Sequence, residues 1–249
     1  MKGTFKEGLQ QGNALIGTII TIPAPEVGEI FAGAGFDWLF VDLEHSTLSV
    51  REAQTILQAA SPTPCITRVP ANDEVWIKKA LDIGSAGLVI PMIRSAEDAK
   101  KAVRLCKYPP EGARGVGLAR AHGYGAKFQE YVSAANDELA VIIQIEHIDA
   151  VNDIEEIVRI QGIDGWFIGP YDLSASMGKP GATTAPDVLD AIQKVKETAR
   201  KANLPLGIFC STIEAARSYM RDGYAFLVVG IDTALIAQTA KQMVGSLKE

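Results

Sequence analysis

Short apolar runs alternate along the chain with longer stretches in which apolar residues return every three or four positions. Eight runs stand out, at residues 15–22, 38–43, 64–69, 87–92, 139–145, 165–168, 206–209 and 226–229. Most are near-continuous Val, Ile and Leu, the pattern of parallel strands covered on both faces; a half-solvated strand would alternate apolar with polar residues. The stretches at 26–34, 50–60, 74–83, 96–106, 150–160, 188–202 and 213–222 carry the helical period, and Gly35, Gly84, Gly162 and Gly223 stand where four of them end. Strand followed by helix, eight times over, closes most simply as a (β/α)8 TIM barrel. A doubly wound open sheet is the runner-up, but it needs a Gly-x-Gly-x-x-Gly turn directly after a strand, and Gly115-x-Gly117 does not continue that way. Residues 107–124, with Pro109-Pro110 and four glycines, are too long for an ordinary turn and mark a functional loop or an oligomer contact.

Composition narrows the picture. A chain of 249 residues, 47% hydrophobic, suits one barrel domain over 1–249. The net charge of −6 is spread along the chain, and no basic run would follow a phosphate backbone, so nucleic acid is not expected as a partner. Residues 1–13 alternate polar and charged positions, and no apolar run approaches the roughly 18 residues that span a bilayer. The expectation is a soluble, cytoplasmic protein without a membrane partner. Cys65, Cys106 and Cys210 are widely separated and read as buried, inert thiols.

In a barrel the active site lies where the strands end, and there the polar residues gather. The second run ends in Asp42-Leu43-Glu44-His45, the third carries Arg68, the fifth ends in Gln144-Ile145-Glu146, and the sixth opens into Gly169-Pro170-Tyr171-Asp172. Glu146 and Asp172 at neighbouring strand ends repel one another unless a cation lies between them, and oxygen ligands favour Mg2+, Mn2+ or Co2+. The alternative is two exposed carboxylates paired with lysines. Asp42 stands three residues before His45, a spacing that would let the carboxylate orient the ring of a general base. Arg68 on an apolar strand needs an anion, either a substrate carboxylate or enolate, or Asp42 or Glu44. The Gly169-Pro170 turn offers the N–H groups of Tyr171 and Asp172 to an anion. His122 and His147 are assigned no role, His147 because it would point away from Glu146 were the strand to continue. No lysine lies within the eight runs, which argues against a Schiff-base mechanism.

At these residues the sequence resembles the class II pyruvate aldolases of the HpcH/HpaI type. The likeness runs nearly end to end, through Asp37-Trp38 to Glu44-His45, Val69-Pro70-Ala71-Asn72-Asp73, Val89-Ile90-Pro91-Met92, and Tyr108-Pro109-Pro110-x-Gly112-x-Arg114-Gly115-Val116-Gly117. It continues through Gln144-Ile145-Glu146, the stretch from Gly162 to Ser174 with Gly169-Pro170-x-Asp172, and Val229-Gly230-Ile231-Asp232-Thr233. The resemblance implies a barrel whose last helix exchanges with a neighbouring subunit of a homo-oligomer, a hexamer or a trimer. It implies that Glu146 and Asp172 hold a divalent metal completed by the oxygens of pyruvate or a related 2-keto acid. Arg68 then lies against the enolate oxygen, His45 supported by Asp42 is the base, Gln144 and Glu44 stand behind them, and an aldehyde is the second substrate. Oxaloacetate decarboxylation and a citrate lyase β-subunit or malyl-CoA lyase type of cleavage are the alternatives. The sequence departs from the family pattern at Tyr171, usually Ala or Asn, and at His147, usually Thr. Arg120 and Tyr124, in the loop at 119–125, are expected to help select the aldehyde, from their own or an adjacent subunit.

Overall fold

A computed structural model describes residues 4–11 and 14–248; residues 1–3, 12–13 and 249 of the expected domain lie outside it. All eight runs are strands: β1 (Leu15–Ile20), β2 (Trp38–Asp42), β3 (Cys65–Arg68), β4 (Gly87–Ile90), β5 (Ala140–Ile145), β6 (Gly165–Ile168), β7 (Leu206–Cys210) and β8 (Phe226–Ile231). They pair in parallel and in sequence order, and β8 returns to β1, so the sheet is a closed (β/α)8 barrel with no open edge. The helix-ending glycines take the left-handed conformation a side chain resists, as at Gly35 (φ +92°) and Gly84 (φ +90°).

The two-residue pleat decides what each side chain meets. Leu39, Val41, Ile143, Ile145, Trp166 and Ile168 face outward and are buried under the helices. Trp38, Phe40, Phe167 and Phe226 fill the inside, with the Phe40 and Phe167 ring centroids 5.6 Å apart and those of Trp38 and Phe226 6.1 Å apart. Such rings fit because neighbouring strands carry glycine: a Cβ on Gly17 would lie 2.5 Å from the Trp38 ring, and one on Gly207 2.2 Å from the Phe226 ring. Two residues above Phe40, Ile66 and Ile142, on the same inward face, stand Asp42, Arg68 and Gln144. The floor of the site is thus the next layer of the core, with polar residues in place of apolar ones.

The N-terminal segment is not the featureless polar stretch its composition suggested. Helix Phe5–Gln10 is capped by Thr4 and buries Phe5 and Leu9, one turn apart. The Phe5 ring lies 5.2 Å from Trp38 and 6.2 Å from Phe226, so this helix closes the end of the barrel opposite the polar rim. The long connection at 107–124 is organised around Arg114, whose buried guanidinium donates to Asp82 (2.9 Å) and the Tyr131 hydroxyl (3.1 Å) and stacks 4.4 Å from the Tyr108 ring centre. A further helix, Phe128–Glu138, leads from there into β5. The single helix expected at 150–160 is two short ones, Ile148–Asn152 and Ile154–Ile157, because Asp153 at their junction turns its carboxylate to the Ala96 N–H (2.7 Å). Cys65, Cys106 and Cys210 are free and buried, and burial pushes each thiol up to about 12, in keeping with inert thiols. Among the described residues no helix is long and apolar enough to cross a membrane.

Candidate active site

The register of the sheet sets the first pairing. Asp42 on β2 lies directly beside Arg68 on β3, both inward-facing and buried. Arg68 Nε donates to Asp42 Oδ1 at 2.9 Å and Nη2 to Oδ2 at 2.5 Å, a two-point grip, and Nη1 donates a long hydrogen bond of 3.5 Å to Gln144 Oε1. Burial works against the guanidinium charge, but Asp42, with Glu44 and Glu146 nearby, outweighs it and raises the Arg68 pKa.

This grip corrects the expected Asp42–His45 pair. Asp42 Oδ1 also accepts the backbone N–H groups of Glu44 (3.0 Å) and His45 (3.3 Å), so its carboxylate shapes the turn and does not hold the ring. The His45 side chain is 61% exposed, and the carboxylate near its Nε2 is that of Glu44, at 3.7 Å. A spacing of three residues left Asp42 close to His45, but the partner across the strand took its oxygens.

Above this floor three carboxylates converge. Glu146 Oε1 accepts the Met92 N–H at 2.7 Å, and Oε2 accepts from the Gln144 side-chain amide. Met92 offers that N–H from a left-handed conformation (φ +59°), unusual for a side chain with a Cβ. Glu44 Oε2 is buried without a hydrogen-bond donor; the nearest, Arg68 Nε at 3.2 Å, is already given to Asp42. Burial pushes Glu44 up to about 7; Arg68 opposes it, while Asp42 and Asp172 add to it. Burial likewise pushes Glu146 up to about 7, opposed by the Met92 N–H and Arg68 and reinforced by Glu44 and Asp172. Crowded carboxylates with an orphaned oxygen fit a hard divalent cation. Among the described residues no group of three or more His, Cys, Asp or Glu side chains is assembled closely enough to hold a metal by itself.

The β6 end supplies the remaining wall. Gly169 is a glycine for steric reasons, since a Cβ would lie 3.0 Å from Gln144 Nε2 and 3.1 Å from Glu146 Cβ. Pro170 begins helix Pro170–Ser176, whose first internal bond runs from Leu173 N–H to Gly169 O (2.9 Å), leaving the Tyr171 and Asp172 N–H groups ahead of it. The Tyr171 ring stands 6.1 Å from Phe209, edge to face.

Two cavities of about 220 Å3 each open here. One is lined by Glu44, His45, Met92, Glu146, His147, Asp172 and Ser176. The other holds Arg68, Asp42, Gln144 and the Gly169-to-Asp172 turn over an apolar floor that includes Ile19, Phe40, Phe167, Phe209 and Ile231. His45 and Asp172 line both, so every residue singled out at the strand ends reaches this rim. His147 reaches it too, contrary to the sequence reading. The alternation that turned it away ends with β5 at Ile145, and the chain bends into a helix at Ile148. The loop at 119–125 does not reach the rim of its own barrel: Arg120 Nη1 donates to the Ile83 carbonyl (2.7 Å), beside Gly84 at the entry to β4. His122 is buried in that loop, accepts the Ala119 N–H (3.0 Å) and packs on Phe128 and Tyr131.

Comparison with known proteins places this arrangement. Residues 20–239 match the family described as HpcH/HpaI aldolase/citrate lyase. The chain is 40% identical over 98% of its length to a 4-hydroxy-2-oxo-heptane-1,7-dioate aldolase of Shigella sonnei and 39% identical to one of Escherichia coli, covering 94% of each. Its fold superposes on a HpcH/HpaI aldolase/citrate lyase family protein from Burkholderia cenocepacia with a TM-score of 0.94 at 33% identity, covering 98% of both chains. A HpcH/HpaI aldolase from Desulfitobacterium hafniense superposes at 0.91, also at 33% identity, covering 99% of this chain and 97% of that one. With sequence and barrel matched over nearly their whole length, the chain belongs to the HpcH/HpaI aldolase/citrate lyase family.

Proposed function

We propose that the protein is a divalent-metal-dependent aldolase that adds the enolate of pyruvate or a related 2-keto acid to an aldehyde, giving a 4-hydroxy-2-keto acid, and cleaves such products in reverse. The aldolase relatives and the family make it a carbon–carbon lyase. The observation that carries the finer reading is the juxtaposition of a buried, pinned guanidinium with the Glu44, Glu146 and Asp172 carboxylates around one pair of cavities. A cation of the Mg2+, Mn2+ or Co2+ type, held by Glu146 and Asp172 with Glu44 beside them, would supply Lewis-acid polarisation of the keto group.

The protein's own groups do the rest. Asp42 fixes Arg68 at Nε and Nη2, so Nη1, held only by the long bond to Gln144, is the group available to the donor's developing oxyanion. The free N–H groups of Tyr171 and Asp172 receive the donor carboxylate. His45, exposed at the seam of the two cavities, takes the C3 proton, with Glu44 as its nearby carboxylate. In the helix Asp232–Lys248 the buried residue is Asp232, while Leu235, Ile236, Met243, Val244 and Leu247 are exposed. That face suits packing against another copy in a homo-oligomer, a hexamer or trimer with helix exchange.

One experiment with three readouts tests this. Chelation, Glu146→Ala or Asp172→Ala is expected to stop both aldol cleavage and oxaloacetate decarboxylation, and Mg2+, Mn2+ or Co2+ to restore the chelated native protein. His45→Ala is expected to stop cleavage and exchange of the pyruvate methyl protons with solvent deuterium, yet to spare decarboxylation, which reaches the enolate without a base. Full cleavage by metal-free protein rules out the class II reading.

A further inference from the structure

Beyond Asp42, Glu44 and Gln144, the buried charge of Arg68 has a neighbour that no step above uses. Its Cζ lies over the Phe40 ring, 5.2 Å from the ring centre, within the range of a cation–π attraction. The strand register sets this up. Phe40 and Asp42 share the inward face of β2, and Asp42 pairs with Arg68 on β3, so the guanidinium that Asp42 grips stands one layer above the ring. Phe40 is fully buried, and its ring is held in turn by Trp38, at 6.0 Å between ring centres, and by Phe167, at 5.6 Å. Core packing alone does not call for a ring at this height, since Ile66 and Ile142 fill the same layer on β3 and β5.

We propose that Phe40 is a positioning residue for the enolate step: its ring anchors the Arg68 charge at the floor of the cavity without taking any N–H that the oxyanion needs. This rests on the aldolase reading above, in which Nη1 serves that oxyanion. The hydrogen bonds show why an anchor of this kind matters. Asp42 takes the Nε–H and one Nη2–H, Glu44 Oε2 lies 3.2 Å from the same Nε, and Gln144 takes one Nη1–H through a long bond. A guanidinium has five N–H groups, so two remain. A further carboxylate partner would hold the group more firmly, but it would take one of those two and compete with the developing oxyanion for the same positive charge. The face of an aromatic ring attracts the cation through its quadrupole and takes neither. Buried away from water, this attraction is at its strongest. The ring therefore holds the charge in place and leaves Nη1 to the substrate, the preorganisation on which oxyanion stabilisation depends.

Ring fluorination tests this, because each fluorine withdraws electron density from the ring face while nearly preserving the ring's shape. Phe40 is replaced by phenylalanine carrying one, two or three ring fluorines, and the Mn2+-loaded protein is assayed for exchange of the pyruvate methyl protons with solvent deuterium. The exchange kcat is expected to fall step by step, to a roughly three- to tenfold loss in the trifluorinated protein, the size of a desolvated cation–π contact weakened but not abolished. KM for pyruvate should change little, because the donor carboxylate is bound elsewhere, at the Tyr171 and Asp172 N–H groups. The same series at Phe226, which packs in the core below the cavity, is the control and should leave kcat unchanged. A flat Phe40 series, or parallel slopes at the two positions, would reduce Phe40 to core packing and overturn the inference while leaving the aldolase reading intact. Absence of exchange in the metal-loaded native protein would instead remove the aldolase reading, and this inference with it.

Discussion

Glu44 and Glu146 show what the site costs single residues. Each is pushed up to about 7, by burial first and by neighbouring carboxylates after it. In metal-free protein such a carboxyl binds more protons folded than unfolded between its ordinary value of 4.5 and about 7. Folding stability must therefore fall as pH rises through that window and level off above it. We expect the melting temperature of metal-free protein to drop from about pH 5 to about pH 7, and added Mn2+ to reduce the drop by favouring the charged carboxylates. The double variant Glu44→Gln, Glu146→Gln should melt with a flatter pH profile. A native profile as flat as the variant's, measured by calorimetry, would mean these carboxylates are not crowded.

At the scale of elements, one buried side chain ties the first and last parts of the barrel together. Asp232, at the start of the last helix, is fully buried. Its Oδ2 accepts the N–H groups of Thr21 and Ile22, each at 2.7 Å, and its Oδ1 accepts the Thr21 hydroxyl and the Thr233 N–H, each at 2.7 Å. The carboxylate thus holds the chain just beyond β1 to the end of β8, across the seam where the register shifts between Gly17 and Ile19. Asp232→Ala leaves several buried donors without an acceptor and is expected to lower unfolding stability by about 3 kcal/mol. Urea denaturation checks it, and a loss below about 0.5 kcal/mol, the range of ordinary surface substitutions, would show that water replaces the carboxylate.

Over the whole molecule the barrel divides its work by height. The aromatic layer and helix Phe5–Gln10 carry packing at one end, and the polar layer of the proposed site lies at the other. The last helix leaves this arrangement with an apolar face turned to solvent. We expect Ile236→Glu with Met243→Glu to reduce the assembled mass in sedimentation while the far-ultraviolet circular dichroism of the barrel is retained. An unchanged mass would place subunit contacts on another face.

What the sequence determined by itself was what local chemistry can carry. Eight apolar runs became eight strands because burial on both faces writes itself into consecutive residues, and the barrel followed from their order. Asp42, Arg68, Gln144, Glu146 and Asp172 were legible because polar residues at strand ends stand out against an apolar run. Tertiary structure alone decided their partners. Asp42 grips Arg68, 26 residues away, because the β2–β3 register sets them side by side, and no spacing within one segment reports that register. The role of Phe5 and Leu9 was hidden because a single apolar pair acquires meaning only against the Trp38 and Phe226 rings of distant strands. His147 was misplaced by extending a strand's alternation past its end, and where β5 stops and the chain bends is decided by the packing around it.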